Sequence, residues 1–270
     1  MINGTVKTIS NRKWQLATRP GLPQQLQTFE PIGLNQMERV ALFNRTDTKF
    51  IFAERQLEVV LAGLPADYWL LEMETGRIHS YQTLYFDTPN FDLYLEHHAG
   101  KRNRRKVRSR RYLSNNLSFL EVKAKQGYNQ TVKNRVQTAE MVTQLTPQTG
   151  KALAEHLPAG DQPLEPKLWN SFSRLTLVGK NYQERLTLDL NLHFFNDETV
   201  IPLSGLVIAE LKQAGQNRQS PFTVAMQTLG VRPAGFSKYC IGVALLYPHL
   251  KHNNFKPKLR QMWQVVGAYD

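Results

Sequence analysis

Lys and Arg residues occupy alternate positions in several segments of this sequence, with isolated carboxylates among them. In the segment RRKVRSRRY, Arg104, Lys106, Arg108 and Arg110 alternate with residues such as Val107. Successive side chains of a β-strand point to opposite faces, so these four cations would share one face. Adjacent strands with such faces repel each other unless an anion neutralises them. The pattern therefore predicts a binding site for an anion of high charge density.

The same period of two recurs in five further segments. In RLTLDLNLHF it is strict, and it predicts that the leucines and Phe194 all lie on the face opposite Arg185. The polar residues predicted to share a face within each segment are Glu121, Lys123 and Lys125; Lys133 and Arg135; Arg174 and Thr176; Arg185, Thr187, Asp189 and Asn191; and Glu210 and Lys212.

Two interpretations of these faces are open. Ordinary half-exposed strands carry solvated charged faces, and any one of these segments taken alone fits that description. Against it, each cationic face carries one carboxylate or none, which predicts little mutual salt bridging. The apolar faces are long, and amphipathic helices are available to cover them. We therefore favour an inverted arrangement, with apolar faces outward under helices and charged faces inward around a cavity.

The strand and helix signals agree with this arrangement. Turn-rich pieces such as KQGYN and FNDET separate the strand segments, as in antiparallel meanders. The predicted strands are NRTDTKFIF, YWLLEMET, SYQTLYFDT, RKVRSRRY, LSFLEVKAK, QTVKNRVQT, LWNSFSRLTLV, QERLTLDLNLHF and LVIAELK. Helices are predicted from Ala53 to Gly63, over DLYLEHHAG, from about Pro147 to His156, after Ser220-Pro221 and from Ser237 to Tyr247.

The predicted fold class is α+β, with a closed or nearly closed antiparallel barrel and helices outside. Its basic interior would hold about eight Lys and Arg side chains, which demand a compensating polyanion in a low-dielectric wall. Triphosphate or polyphosphate fits, because Arg contacts phosphate oxygens in pairs and Lys adds a point charge. The carboxylates would then hold Mg²⁺ or Mn²⁺.

Composition limits the compartment and the partners. The chain has 34 Lys and Arg against 22 Asp and Glu, a formal net charge of +12, which favours polyanionic partners. A single cysteine, Cys240, excludes an internal disulfide. The sequence has no secretory signal pattern and no apolar run near the ~18 residues of a membrane span, so we predict a cytoplasmic protein. A membrane partner would be peripheral, and the sequence predicts no oligomeric state.

Three regions are predicted along the chain. Residues 1–35 are rich in Gln, Pro and Thr without a clear period, which indicates an N-terminal extension that is at best partly ordered. Residues 36–250 would form the single barrel domain. Residues 251–270 would form a basic, exposed tail with Trp263 as its anchor.

Taken in order, the motifs RTDTKF, TLYFDTPNFDLY, RRKVRSRRY, FLEVKAK, TVKNR, SRLTLV, ERLTLDLNLHF, IAELK and FSKY resemble the VTC domain. This domain is the polyphosphate polymerase core of the vacuolar transporter chaperone complex and of stand-alone bacterial relatives. It belongs to the triphosphate tunnel metalloenzymes, together with the CYTH-type proteins. The resemblance covers about residues 38–248. It implies an eight-stranded tunnel whose basic interior binds a nucleoside triphosphate and the growing chain.

The resemblance also implies roles for particular residues. Glu210 in AELK falls on the metal-binding glutamate, and Glu121 is a second acidic candidate. Asp47 departs from the usual ExK pattern of the first motif, because its carboxylate is shorter. The implied phosphate contacts are Lys49, Arg108, Arg110, Lys123, Lys133, Arg174, Arg185 and Lys238. Of these, Arg108, Arg110, Lys123 and Arg185, together with Lys212, are expected to hold the bound nucleotide's phosphates.

Three functions are consistent with these features. The first is metal-dependent transfer of the γ-phosphate of ATP to a polyphosphate or pyrophosphate acceptor. The second is hydrolysis of tripolyphosphate or a nucleoside triphosphate in the same tunnel. The third is a non-enzymatic binder of nucleic acid or polyphosphate that uses KRNRRKVRSRR as a surface patch. We favour the first, and no specific nucleic acid partner is expected.

Other conspicuous residues are predicted to be structural. His97 and His98 end a helix without a third ligand at metal-binding spacing. Tyr85 is predicted to lie in the core. Asp87 and Thr88 are predicted to end a strand and cap the helix that follows.

Overall fold

A computed structural model describes residues 20–39, 45–127, 130–146, 163–180 and 184–267. The strands are β1 Pro31–Ile32, β2 Thr46–Ala53, β3 Tyr68–Leu71, β4 His79–Asp87, β5 Arg104–Tyr112, β6 Leu117–Gln126, β7 Gln130–Thr138, β8 Glu165–Gly179, β9 Glu184–Phe195, β10 Val200–Leu203 and β11 Leu206–Gln213. The α-helices are α1 Leu22–Leu26, α2 Leu34–Arg39, α3 Leu57–Ala62, α4 Asp92–His98, α5 Pro221–Thr228, α6 Lys238–Leu246 and α7 Lys256–Val266. Short 3₁₀ helices cover Glu54–Gln56 and Asn253–Phe255.

Eight strands form one antiparallel ladder in the order β2-β11-β9-β8-β4-β5-β6-β7. Strands β3 and β10 extend it beside β8 and β9, and β1 pairs with β3. In the part of the chain that the structure describes, no ladder joins β2 to β7. The sheet nevertheless curls, because Lys49 of β2 and Lys123 of β6 line one cavity. The predicted α+β fold, with an antiparallel sheet curled around a basic interior, is confirmed.

The convex face of the sheet is apolar and carries three of the helices. Alternate residues of β8, β9 and β11, such as Leu177, Leu188 and Val207, pack against α1, α3 and α5. Helix α5 begins where the sequence predicts, because Ser220 caps it and Pro221 fits its first turn. Full burial of an apolar side chain of this size stabilises the folded state by roughly 2 to 3 kcal/mol. Because the helices bury the apolar residues on the convex side, the charged residues that alternate with them lie on the concave side.

The strict alternation predicted for β9 is wrong beyond Leu190. Asn191 has a φ of 51°, and the pairing with β8 shifts between Ser171 and Ser173. The residue added at this bulge reverses the faces. Leu190 therefore packs on the convex side, whereas Leu192 and Phe194 turn to the concave side.

Helix α6 packs on the concave face where that face becomes apolar. A Cβ added to Gly242 would lie 2.7 Å from side-chain carbons of Leu168 and Phe194, so the helix approaches the sheet very closely. Ile51 and Ile208 belong to the same apolar cluster. The concave face thus has a charged part and an apolar part, and α6 covers the apolar part.

Segments on either side of the main sheet pack against it. Leu22, Leu26 and Phe29 lie in the main core, and the partly ordered extension predicted for residues 1–35 stays a prediction. The C-terminal segment is the helix α7, held by buried Phe255 and Met262 as well as by Trp263. The helix predicted from Pro147 to His156 lies outside the described residues.

Strand β10 is absent from the sequence predictions. It is four residues long and pairs with β9 beyond the part of β9 that pairs with β11. None of the helices that the structure describes is long and apolar enough to span a membrane.

Candidate active site

Three carboxylates on the concave face each lie between two cations, and we call these three groups the carboxylate centres. In the first centre, Glu210 of β11 pairs with Lys49 of β2 at 2.6 Å between Oε1 and Nζ. Lys212 bonds the other carboxylate oxygen. Burial opposes ionisation of Glu210, but the ammonium groups of Lys212 and Lys49 lower its pKa strongly. Glu210 is therefore an anion held from both sides.

The second centre joins β5, β6 and β7. Arg108 donates from Nε to Glu121 Oε2 at 2.6 Å, and Lys133 bonds the other oxygen. Glu121 is only 1% exposed, and burial alone would raise its pKa. Arg108, Arg110 and Lys133 outweigh that effect and lower its pKa to about 2.

The third centre joins two strands to α6. Arg174 donates from Nε and from a terminal guanidinium nitrogen to the two oxygens of Asp189, at 2.6 and 2.9 Å. Lys238, the first residue of α6, bonds the same carboxylate. Against the effect of burial, Arg174 and Lys238 lower the pKa of Asp189 to about 2. This centre fixes the start of α6 relative to β8 and β9.

The prediction of little mutual salt bridging is therefore wrong. One carboxylate per face suffices, because the curled sheet brings cations from neighbouring strands to the same carboxylate. Lys49 and Glu210 are 161 positions apart in sequence but are directly paired across β2 and β11. Alternation within one strand shows which of its residues share a face, but it does not show which residues of a neighbouring strand lie opposite them.

Four further cations of the concave face, Lys106, Arg110, Lys123 and Arg185, have no carboxylate within 4.0 Å among the described residues. Burial, followed by a neighbouring cation, lowers the pKa of Arg110, Lys123 and Arg185. The sheet thus supplies more positive charge than its carboxylates neutralise.

Arg110 illustrates how such a cation is held. Its Nε donates to Thr83 Oγ1 at 3.1 Å, and its guanidinium lies 5.8 Å from the ring centre of Tyr81 and 5.7 Å from that of Phe172. Only 7% of Arg110 is exposed. These contacts orient the guanidinium without neutralising it, which leaves its charge available to an anion.

The first turn of α6 ties the helix to three strands. Lys106 of β5 donates to Ser237 Oγ at 2.8 Å, Lys238 bonds Asp189 of β9, and the Tyr239 hydroxyl donates to Asp87 of β4. Ser237 also caps the helix. Of these residues, the sequence analysis named only Lys238 as a site residue. For Ser237, the available sequence signal was a Ser in the N-cap position before an apolar run. No sequence signal pointed to the hydrogen bond between Tyr239 and Asp87.

Asp87 organises the adjoining end of α4. It accepts hydrogen bonds from the backbone N–H groups of Leu93 at 2.9 Å and Tyr94 at 3.0 Å. Burial raises the pKa of Asp87, against the lowering effect of these donors and of Tyr239. The predicted capping role of the Asp87-Thr88 pair agrees with these bonds.

Two aromatic groups near the cations have shifted pKa values. Tyr85 is buried, yet Arg108 and Arg110 lower its pKa against the effect of burial. The ring Nε2 of His97 lies 3.0 Å from the carbonyl oxygen of Arg105, so this nitrogen donates. Burial and then Lys106 lower the pKa of His97 to about 3. Neither residue belongs to a metal cluster, since the described residues contain no group of three His, Cys, Asp or Glu placed to hold an ion.

The carboxylate centres fit one kind of metal site. Mg²⁺ and Mn²⁺ prefer oxygen ligands, and Mg²⁺ is commonly bound by one or two carboxylates together with substrate phosphates and water. Glu210 offers one such carboxylate, whose oxygens contact ammonium groups. The donor set therefore suits an ion shared with a phosphate ligand and does not suit a cage made only of protein.

These residues lie in a segment whose sequence matches a known domain family. The VTC domain matches residues 44–247. The chain belongs to the VTC domain family. The resemblance inferred from the motifs is thus confirmed, and the carboxylate centres lie within the matched part of this VTC domain protein. No curated protein matches the sequence.

Solved structures show weaker similarity. HpAC1 from Hippeastrum, for which a dominant triphosphatase activity is described, has 14% identity and a TM-score of 0.46, over 73% of this chain and 93% of its own. A Vibrio parahaemolyticus protein named as an adenylate cyclase has 11% identity and a TM-score of 0.43, over 72% and 97%. PH1819 from Pyrococcus horikoshii has 12% identity and a TM-score of 0.42, over 76% and 100%. Similarities of this size do not bear on the chemistry of this chain.

Every residue that the sequence analysis named for phosphate or metal binding lies on the concave face. Lys49, Lys212 and Glu210 form one centre, Arg108, Lys133 and Glu121 the second, and Arg174 and Lys238 bind Asp189 in the third. Asp189, which was predicted to share a face with Arg185, binds Arg174 of the neighbouring strand. Asp47, from the shortened first motif, bonds Arg45 at 3.1 Å. Family membership and this face together support an enzyme that acts on triphosphate or polyphosphate.

Proposed function

We propose that this protein is a polyphosphate polymerase, which transfers the γ-phosphate of ATP to the end of a phosphate chain and releases ADP. The observation that carries the proposal is the excess of cations on the concave face of a VTC domain protein. Three carboxylates are each saturated by two cations, and four more cations have no carboxylate beside them in the described part of the chain. A polyphosphate ligand would supply the missing negative charge.

The state of the carboxylates favours transfer over hydrolysis. Hydrolysis benefits from a base that orients and deprotonates a water molecule. Glu121 and Asp189, with pKa values of about 2, are weak bases, and each is bonded by two cations. A phosphate acceptor presents an oxygen that is already anionic and needs no base. Positioning and charge stabilisation then account for the chemistry.

Each group of cations has a part in this reaction. Arg110 and Arg185, which have no carboxylate beside them, would bind and orient the phosphates of the donor. Arg108 and Arg174, each fixed by a carboxylate, would keep the donor and the acceptor in line. A divalent ion on Glu210, if bound together with the phosphates, would neutralise charge that develops on their oxygens.

A non-enzymatic nucleic acid binder is the less favoured alternative. The basic run of β5 alternates between the two faces of the sheet, so it does not form one surface patch. Arg105 lies 3.8 Å from Glu96 of α4, and Arg111 donates to Asn116 at 2.9 Å. The concave face therefore holds four of the six cations of β5.

The test is an incubation of the purified protein with ATP and Mn²⁺, with and without pyrophosphate. Long-chain polymer is followed on a gel, and free phosphate is measured in parallel. Polymer that an exopolyphosphatase degrades, and that is absent with Arg108→Ala, is the expected result. Free phosphate without polymer would assign the protein as a triphosphatase. Tight binding without any product would leave a binding protein.

A further inference from the structure

One buried amide on the concave face has no hydrogen-bond partner. Asn170 of β8 is fully buried, and neither Nδ2 nor Oδ1 of its side chain has a partner in the part of the chain that the structure describes. Burying a polar group without a partner lowers the stability of a protein, and an apolar residue of the same shape, such as Leu, avoids this cost. Packing alone therefore does not account for an amide at position 170.

The pairing of three strands places this amide beside a cation. Asn170 lies directly opposite Phe194 of β9 and directly opposite Thr83 of β4. Thr83 in turn lies directly opposite Arg110 of β5. Directly opposed residues share a face of an antiparallel sheet, so Asn170, Thr83 and Arg110 form one row on the concave face. Asn170 marks the boundary in that row between the apolar part under α6, to which Phe194 belongs, and the charged part.

Thr83 links the amide to the cation. Its Oγ1 accepts a hydrogen bond from Arg110 Nε at 3.1 Å, and Thr83 is fully buried. A hydroxyl oxygen that accepts one hydrogen bond still has its own hydrogen to donate. Of the two side chains directly opposite Thr83, Arg110 has no acceptor atom, whereas Asn170 has Oδ1. Asn170 is thus the side chain of the row that can accept the hydrogen of Thr83.

The spacing of the strands permits this bond. Directly opposed residues of antiparallel strands have Cβ atoms about 4.5 to 5.5 Å apart. The terminal torsion of an Asn side chain has a broad range, so rotation about it brings Oδ1 towards the Thr83 hydroxyl. Phe194, on the other side of Asn170, has no polar side-chain atom that would compete. A Thr83 hydrogen held by Asn170 leaves a lone pair of the same oxygen directed at Arg110.

Arg110 differs from two other arginines of the concave face in how it is oriented. Carboxylates fix Arg108 and Arg174, and they also neutralise the two guanidinium groups. Arg110 packs against two aromatic rings, and among the described residues its side chain has one hydrogen bond, to Thr83. A neutral pair, Thr83 and Asn170, can therefore orient Arg110 and leave its charge free for an anion.

We infer that Asn170 is a positioning residue, which acts through Thr83 to orient the Arg110 guanidinium towards a phosphate ligand. An Asp at position 170 would also accept the hydrogen of Thr83, but its charge would compete with the phosphate for Arg110. The inference rests on the proposed function in naming phosphate as the ligand of Arg110. It is independent of whether that phosphate is transferred to a chain or to water.

The experiment compares Asn170→Leu, Thr83→Val and the variant that carries both substitutions. For each, we would measure equilibrium binding of tripolyphosphate without added metal, the rate of ADP release from ATP with Mn²⁺, and unfolding in urea. Asn170→Leu should weaken binding and slow ADP release about fivefold to tenfold, the effect of one neutral hydrogen bond, at an unchanged or higher urea midpoint. Because Asn170 acts through Thr83, the double variant should lose no more than Thr83→Val alone.

Ser173→Ala is the matched control. Ser173 also lies on β8, is fully buried and has an Oγ without a partner among the described residues, but it lies on the convex face opposite Leu190. This variant should leave tripolyphosphate binding and ADP release unchanged. Thr83→Ser retains the hydroxyl, so Asn170→Leu should still weaken binding when it is added to that variant.

The double variant and the urea midpoint separate a positioning role from a structural one. Additive losses from Asn170→Leu and Thr83→Val, unchanged binding by Asn170→Leu, or an equal effect of Ser173→Ala would overturn the inference. A clearly lower urea midpoint of Asn170→Leu would make the amide a structural group and would also overturn it. If tripolyphosphate binding falls as expected but the wild type forms no product from ATP, the positioning role stands and the proposed polymerase activity fails.

Discussion

The carboxylate centres and two like-charged pairs, Arg104 with Lys125 and Lys106 with Lys123, lie on the same concave face, but they differ in how positive charge is balanced. In the centres, each cation has a carboxylate beside it, and the side chains are held by short, charge-assisted bonds. In the like-charged pairs, cations face cations across β5 and β6. The centres therefore hold their cations in fixed positions, whereas the pairs carry unfavourable charge that a bound anion would relieve.

The two groups of cations also differ in how a mutation would change the stability of the protein. Removing a carboxylate from a centre leaves two buried cations without a partner, which is expensive. Removing a cation from a like-charged pair relieves repulsion. Functional sites commonly reduce stability in this second way.

The largest expected effect is on the third centre. Asp189→Asn removes the charge that both Arg174 and Lys238 require, and Asp189 is only 3% exposed. We expect the free energy of unfolding to fall by about 3 to 5 kcal/mol. Urea denaturation measures this loss, and the exposed Asp197→Asn should stay within about 0.5 kcal/mol of the wild type. A loss below about 1 kcal/mol would show that the ion pairs of Asp189 do not stabilise the folded protein.

The second effect is the pH dependence of the Glu121 centre. Its folded pKa of about 2 lies below the unfolded value of about 4.3, so its contribution is present above pH 4.3 and is lost as pH falls through 2. The wild type should exceed Glu121→Gln in unfolding free energy by about 2 to 3 kcal/mol at neutral pH.

That difference should narrow below about pH 4, which urea titrations at several pH values would measure. A difference that does not change with pH would contradict the role of ionised Glu121. Partial unfolding of the variant would be recognised from its denaturant slope.

The third effect is on activity with little change in stability. Arg110→Met removes a buried cation that has no carboxylate beside it in the described part of the chain, so unfolding should change by less than about 1 kcal/mol. The rate of product formation should fall about 10- to 100-fold if Arg110 contacts phosphate. Arg111→Met, the next residue on the opposite face, is the matched control. Equal rates for the two variants would contradict the assignment of faces to roles.

A smaller effect is expected from the first turn of α6. Tyr239→Phe removes the hydroxyl bond to Asp87, and Tyr247→Phe removes the 2.5 Å bond to the carbonyl oxygen of Lys167 at the end of the same helix. Each should cost about 1 to 2 kcal/mol. Only Tyr239→Phe should also lower kcat, because it alone loosens Lys238. Equal kcat values would reduce Tyr239 to a structural residue.

The smallest effect has the opposite sign. Lys123→Gln should leave stability unchanged or raise it by up to about 0.5 kcal/mol, because Lys123 faces Lys106 and has no carboxylate beside it among the described residues. The same variant should bind polyphosphate more weakly. Thermal unfolding with and without long-chain polyphosphate would measure both. Clear destabilisation without ligand would remove the distinction between the carboxylate centres and the like-charged pairs.

The sequence predicted the strands, their charged faces and the family, because alternation and turn signals are local. Nine predicted strands correspond to β2–β9 and β11. The pairing of Glu210 with Lys49 was not predictable, since it depends on register between strands that are distant in sequence. The approach of Lys258 to Gly235 was not predictable either, because it depends on how α7 packs. The bulge at Asn191 was not predicted, because it interrupts the alternation of polar and apolar residues from which the strand was predicted.

The bulge at Asn191 limits the length of the charged stretch on β9. On β9 the charged stretch of the concave face runs from Arg185 to Asp189, about 13 Å at the usual rise of a strand. Beyond the bulge the same face is apolar and lies under α6. Moving the inserted residue by two positions would lengthen or shorten the charged stretch by about 7 Å without altering the topology. The length of the charged stretch is thus adjustable by one insertion and one deletion, without a change to the residues that form the carboxylate centres.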